Sequence, residues 1–299
     1  MPEVEHLFQA QKAWAEKSLF TIRNFLSLMA PVGAHAWKPA ERRTIGELAS
    51  ATARTSESAL LLCAYGQLWD AEVLVRSVLE GTLKFAYLLQ SPDTFAARHR
   101  EYAEDLFELG LLKDHQKAAS LLAATSDPDA YHWQPIRDRL LRDEERQQLG
   151  QKFPPAARRD LERRWGFTGL VGELERSGDP LFNNVGATAF AYAMASHIQH
   201  VDAIGSSIPL ERDLRIESRR ESMQMAHLGR LAGDPLRFMF LRLAVGYRFT
   251  GTDASPLNEV KAAIDSGAAK FEETYRDWMA VEYPRNGPHE NNVEVPTRK

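Results

Sequence analysis

Apolar residues recur at three- and four-residue spacing along almost the whole chain, and no segment keeps the period-two alternation of a strand. Val4, Leu7, Phe8, Ala15, Leu19, Ile22, Phe25 and Met29 predict one long N-terminal helix, ended by the Pro- and Gly-containing stretch 30–39. A helix follows over about 40–65 with a joint near Gly66, then another over 68–90. Ser91 reads as an N-cap, with Pro92 opening a helix to about Ala124.

After a turn at 125–129 the chain is polar and charge-rich, with short helices expected around 156–165 and 170–176. An apolar helix then carries Tyr192 to His200, and the Gly205 to Pro209 stretch is expected to close it. Helices over about 210–231 and 235–249 are expected to be divided by Gly233, Asp234 and Pro235, and a last helix covers 257–281. No repeat of about 20–50 residues is visible. The reading is an all-α multi-helix bundle. Residues 1–283 form a single helical domain, about 130–175 are a polar helical insertion or cap, and 284–299 are a disordered tail.

Composition removes several classes. With 44% hydrophobic residues in 299, the chain can bury a large core. Mean hydropathy is -0.39 and no apolar run is long enough for a bilayer, so no membrane role is expected. The first residues lack the basic and apolar segments of a secretory signal. Cys63 is the single cysteine, so no intrachain disulfide forms and a cytoplasmic location is expected. A net charge of -4 argues against a protein that coats duplex DNA. Two basic patches, Arg158/Arg159/Arg163/Arg164 and Arg212/Arg215/Arg219/Arg220, are diluted by Asp160, Glu162, Glu211 and Glu217 and read as solvated helix faces.

Two helices carry the candidate chemistry. Glu72, Arg76, Glu80 and Lys84 stand four apart. In that order they make a solvent-facing salt-bridge ladder, worth about 0.2–0.5 kcal/mol per pair. Yet Trp69, Val73, Leu83 and Tyr87 share their side, and the other faces are apolar, so the charges equally fit a buried pocket that needs partners. On the second helix Tyr192, Ser196 and His200 also stand four apart, among small residues that suit a central helix. They read either as a buried hydrogen-bond ladder or as the second half of an interhelical site. His197 and His200 form an HxxH pair with Asp202 nearby, but a catalytic metal needs a third protein ligand that the spacing does not demand. No metal or cofactor is expected. Nucleophile-elbow, phosphate-loop, dinucleotide and HExxH motifs are absent.

The Gly66, Ala71, Leu74, Arg76, Glu80 run, together with Tyr192, Ser196 and His200, resembles the bacterial helical proteins of domain-of-unknown-function family 5677. The resemblance spans about Ser58 to Ile204 discontinuously. Such proteins are similar to the HEPN helical bundles, which implies roles in phage defence and toxin–antitoxin systems, often as metal-independent ribonucleases acting as dimers. It also implies a cognate antitoxin or defence-system protein as partner, and RNA or a nucleotide as ligand. The HEPN signature, Arg followed after four to six residues by His, is matched here by Arg220 and His227, a spacing expected by chance among 27 Arg and 9 His.

Metal-free RNA cleavage needs a base, an acid and a cation on the phosphorane. Arg76 suits the phosphate, Glu80 orients it, Tyr192 and Ser196 donate hydrogen bonds, and His200 serves as acid or base. A non-enzymatic nucleotide- or anion-sensing module, or one that binds a protein, would use the same Arg, Tyr and Ser. A homodimer is expected because Phe8, Trp14, Phe20 and Phe25, and Phe238 to Leu241, spread apolar surface around their helices.

Overall fold

The computed structural model describes residues 2–284, which are mostly helical, joined by turns and short irregular segments, with no strand among them. All but Pro284 of the expected disordered tail lies outside the described residues. The longer helices are α1 (Pro2–Leu26), α2 (Pro39–Ala64), α3 (Leu68–Leu88), α4 (Pro92–Arg100), α5 (Leu106–Ala123), α6 (Asp143–Lys152), α7 (Pro155–Trp165), α8 (Phe167–Arg176), α9 (Ala189–His200), α10 (Ala203–Asp213), α11 (Glu217–Thr250) and α12 (Leu257–Glu282). Among the described residues no helix is long and apolar enough to cross a membrane.

The described residues form two compact units, 2–86 with 178–284, and 87–177. In the first, α1, α2, α11 and α12 pack together with α3. Its innermost cluster joins Ala15, Ala59, Cys63, Ala71, Leu228 and Leu231, and the small side chains of its Ala and Cys members let the helices approach closely. Gly229 marks a close approach, where an added Cβ would lie 2.7 Å from the Trp14 ring. Trp14 and Phe238, two residues behind the homodimer expectation, therefore pack within the chain, while Phe20 remains exposed.

The second unit contains the polar stretch 130–175 and centres on Trp165. Its ring meets Tyr87 edge-on at 5.1 Å, and its Nε1 donates to Glu101 Oε2 at 2.9 Å. Glu101 opens a π-helical turn, Glu101–Asp105, that joins α4 to α5, so the helix expected over 92–124 is continuous but bulged. Ser91 caps it as read, its Oγ accepting from the Asp93 amide.

Three helix boundaries differ from the sequence reading, and one is the helix expected over about 210–231, which is broken at Leu214 to Ile216 between α10 and α11. Gly233 to Pro235 do not divide a helix: α11 runs unbroken for 34 residues with Pro235 inside. The lost backbone bond is outweighed by burial of Leu228, Leu231, Leu236 and Met239 on either side. Likewise Gly205 to Pro209 do not close the Tyr192 helix. The break falls at Val201, in the left-handed region at φ 49°, and Asp202 caps α10 by accepting from the amides of Ile204 and Gly205. Gly205 is required there, since a Cβ would come within 1.9 Å of the His197 carbonyl oxygen.

Candidate functional site

Arg76 extends from α3 toward α9. Its Nη2 donates to the Tyr192 hydroxyl at 2.8 Å, and that hydroxyl donates to Glu80 Oε1 at 2.9 Å. Arg76 Nη2 also lies 3.4 Å from Glu80 Oε1, and Nη1 donates to Gln199 Oε1. The guanidinium carbon stands 4.4 Å from the Tyr192 ring centre, a cation–π contact. Burial raises the Tyr192 pKa above its ordinary value, Arg76 opposing this and Glu80 adding to it, so the phenol keeps its proton and donates. Arg76 Nε is buried without a hydrogen-bond partner among the described residues.

Arg76, Glu80 and Tyr192 thus come together as the sequence suggested. Ser196 is half-buried one turn beyond Tyr192 and forms no hydrogen bond among the described residues. His200 does not join them: it is exposed and forms no hydrogen bond or ion pair with Arg76, Glu80 or Tyr192. Helix geometry gives the reason. At 3.6 residues per turn, the seven-residue step from Tyr192 to Gln199 drifts by about 20°, whereas two four-residue steps carry His200 about 80° off the face. Gln199, missed in the sequence, occupies the place given there to His200. His197 is engaged by Asp202, Nδ1 to Oδ2 2.6 Å. Among the described residues no three His, Cys, Asp or Glu side chains converge to hold a metal.

A cleft of about 610 Å³ opens beside Arg76 and Tyr192. Its far wall is α11, which contributes Arg230, Asp234 and Arg237 along with Phe238 and Leu241. Glu72 lies at its base, 3% exposed. It does not pair with Arg76 as the ladder required. It accepts from His227 Nε2 at 2.9 Å and from Arg230 Nη2, and Arg230 Nη1 reaches Asp234 at 3.3 Å. Burial pushes the Glu72 carboxyl up, but the His227 hydrogen bond and the Arg230 charge outweigh it and hold the pKa below the usual range. Burial lowers the His227 pKa, so the imidazole is neutral and donates. Asp234 is raised by burial, against Arg230.

His227, Arg230, Asp234 and Arg237 follow one another by three, four and three residues, a single polar stripe on an apolar helix. That signal was in the sequence, but it straddles Gly233 to Pro235, where the helix was expected to break. Part of each basic patch is paired locally: Arg163 and Arg164 with Asp160, Arg215 with Glu211 and Glu282, and Arg212 with Asp213 while lying over the Trp69 ring at 5.0 Å.

The lining holds three guanidinium groups, Arg76, Arg230 and Arg237, against two carboxyl groups, Glu72 and Asp234, one of them with a raised pKa. Most of the remaining wall is apolar, including Val75, Leu79, Val185 and Phe240. Such a cleft can hold an anion attached to an apolar or aromatic body. Compared with known proteins, residues 43–212 match the model of a family of unknown function, DUF5677. No curated protein and no solved structure matches the chain.

Proposed function

The chain belongs to that family of unknown function, and we propose that its shared task here is recognition of a small anionic ligand, of the nucleotide class, in the cleft beside Arg76. The observation that carries this reading is the fixation of Arg76 by Tyr192, Glu80 and Gln199 at the edge of a mainly apolar cleft. A guanidinium held on three sides loses little freedom on meeting a phosphate, so its charge-assisted hydrogen bonds go to affinity and orientation. The apolar wall formed by Val75, Leu79 and Phe238 suits a base. A thermal-shift screen of nucleoside monophosphates and the matching nucleosides tests this. A phosphate-dependent rise in Tm that disappears in Arg76→Ala supports it, and equal shifts with nucleosides count against it.

A second reading is a ribonuclease effector of defence or toxin type. One observation favours it: the helix end that supplies Gln199 to Arg76 also bears His197, held by Asp202, and the exposed His200. An imidazole oriented by a carboxylate can take up and return a proton, as acid–base cleavage requires. RNA cleavage by the purified protein, lost in His197→Ala or His200→Ala, supports this reading, and intact RNA at high enzyme concentration removes it.

A further inference from the structure

Arg242 lies on α11, 3% exposed, away from the cleft described above. Among the described residues its guanidinium has one hydrogen bond, Nη1 to Thr82 Oγ1 at 2.5 Å, and no carboxylate beside it. The Thr82 hydroxyl gives its own proton to the Val78 carbonyl at 2.7 Å, so it is filled as a donor. Burial alone lowers the Arg242 pKa to about 10. A guanidinium carries five N–H donors, and a buried charge with no counter-ion is costly. Glu72, the other buried charge of this unit, has a charged partner in Arg230; Arg242 has none among the described residues.

Arg242 borders a small cavity of about 10 Å³. That cavity shares Leu26, Met29, Ala49 and Ala53 with a wider cleft of about 520 Å³ between α1, α2 and the short helix Ala30–Ala34. The wider cleft has apolar walls, among them Val32, Trp37 and Ile45. At Gly33 and Gly46 an added Cβ would meet nothing within 4 Å, so both backbones border open space. Its rim carries Arg42 and Arg54, both exposed, while Glu57 is already taken by Arg23 at 3.1 Å.

An apolar cleft thus narrows to a lone buried cation. The inner cavity has room for a group about the size of one water molecule, which admits a carboxylate oxygen and excludes a phosphate. We propose that this cleft binds a medium-chain acyl monocarboxylate, its chain along Val32, Trp37 and Ile45 and its carboxylate paired with Arg242. The flexible Met29 side chain yields to let the head group reach the guanidinium.

Octanoate, octan-1-ol and acetate separate head from tail, read by native mass spectrometry and thermal shift on the full chain. The wild type is expected to take up one octanoate with a rise in Tm, and to bind octanol and acetate at least tenfold more weakly. Arg242→Met keeps the volume, removes an uncompensated charge and so folds, and loses the preference for octanoate over octanol. Gly46→Leu fills the open cleft without meeting a neighbour at its Cβ and abolishes uptake. The proposal is overturned if wild type takes up no octanoate, if octanol binds as well, or if Arg242→Met retains the preference.

Discussion

His227 Nε2 lies 2.9 Å from Glu72 Oε2, and this contact ties α11 to α3 at the base of the cleft. Glu72 is 3% exposed and also receives Arg230. Replacing it with Leu leaves a buried imidazole donor and a half-buried guanidinium short of an acceptor. Glu72→Leu is expected to cost about 3 kcal/mol, and Glu72→Gln, which still accepts from His227, about 1–2 kcal/mol. Urea denaturation of the two variants measures both.

The same pair makes stability depend on pH. Burial depresses the His227 pKa in the folded state, so below its unfolded value of about 6.5 the unfolded chain binds the extra proton. Glu72 has a depressed folded pKa as well, and its contribution is lost as pH falls below the unfolded value of about 4.3 toward the folded one. Stability therefore falls in two stages on acidification, the first starting near pH 6.5. His227→Gln, which keeps a donor for Glu72, is expected to flatten the first stage. A variant whose unfolding midpoint follows the wild type between pH 7 and 5 would contradict this assignment.

On α9 the account separates two neighbouring residues. Gln199→Ala removes a hydrogen bond that holds Arg76 and is expected to weaken ligand binding about three- to tenfold, while His200→Ala leaves it unchanged. Titration of the two variants with the same nucleoside monophosphate distinguishes them, and the reverse order would restore His200 to the site.

The fold was legible because helical periodicity and punctuation agree along most of the chain. Ser91 and Pro92 start a helix and Gly66, at φ 76°, marks a joint for reasons that are local and chemical. Pro235 was misread because the cost of a proline within a helix is set by the packing around it, which the sequence does not display. Of the site, Arg76, Glu80 and Tyr192 were legible as stripes on two helices. Gln199 was not, because the four-residue spacing pointed to His200 while the seven-residue spacing holds the face. The Glu72–His227–Arg230 cluster was hidden by the misplaced break in α11, together with an i,i+4 pattern that sent Glu72 to Arg76.

Gly205 sets the angle at which α10 leaves α9. A Cβ at this position would stand 1.9 Å from the His197 carbonyl oxygen, a backbone atom that cannot rotate away. Gly205→Ala is expected to destabilise the chain by about 1–3 kcal/mol and to release the His197–Asp202 contact. Thermal melting records the first effect and the His197 imidazole NMR signals the second. An unchanged melting temperature would mean that α10 can swing aside freely.

The central claim is that Arg76, fixed by Tyr192, Glu80 and Gln199, recognises an anion in the adjoining cleft. Isothermal titration of adenosine monophosphate and adenosine into the wild type and Arg76→Ala tests it most directly. The account predicts one site for the monophosphate, at least tenfold weaker binding of adenosine, and a similar tenfold or greater loss for the monophosphate in Arg76→Ala, about 1.4 kcal/mol or more. Monophosphate binding that survives Arg76→Ala unchanged would contradict it.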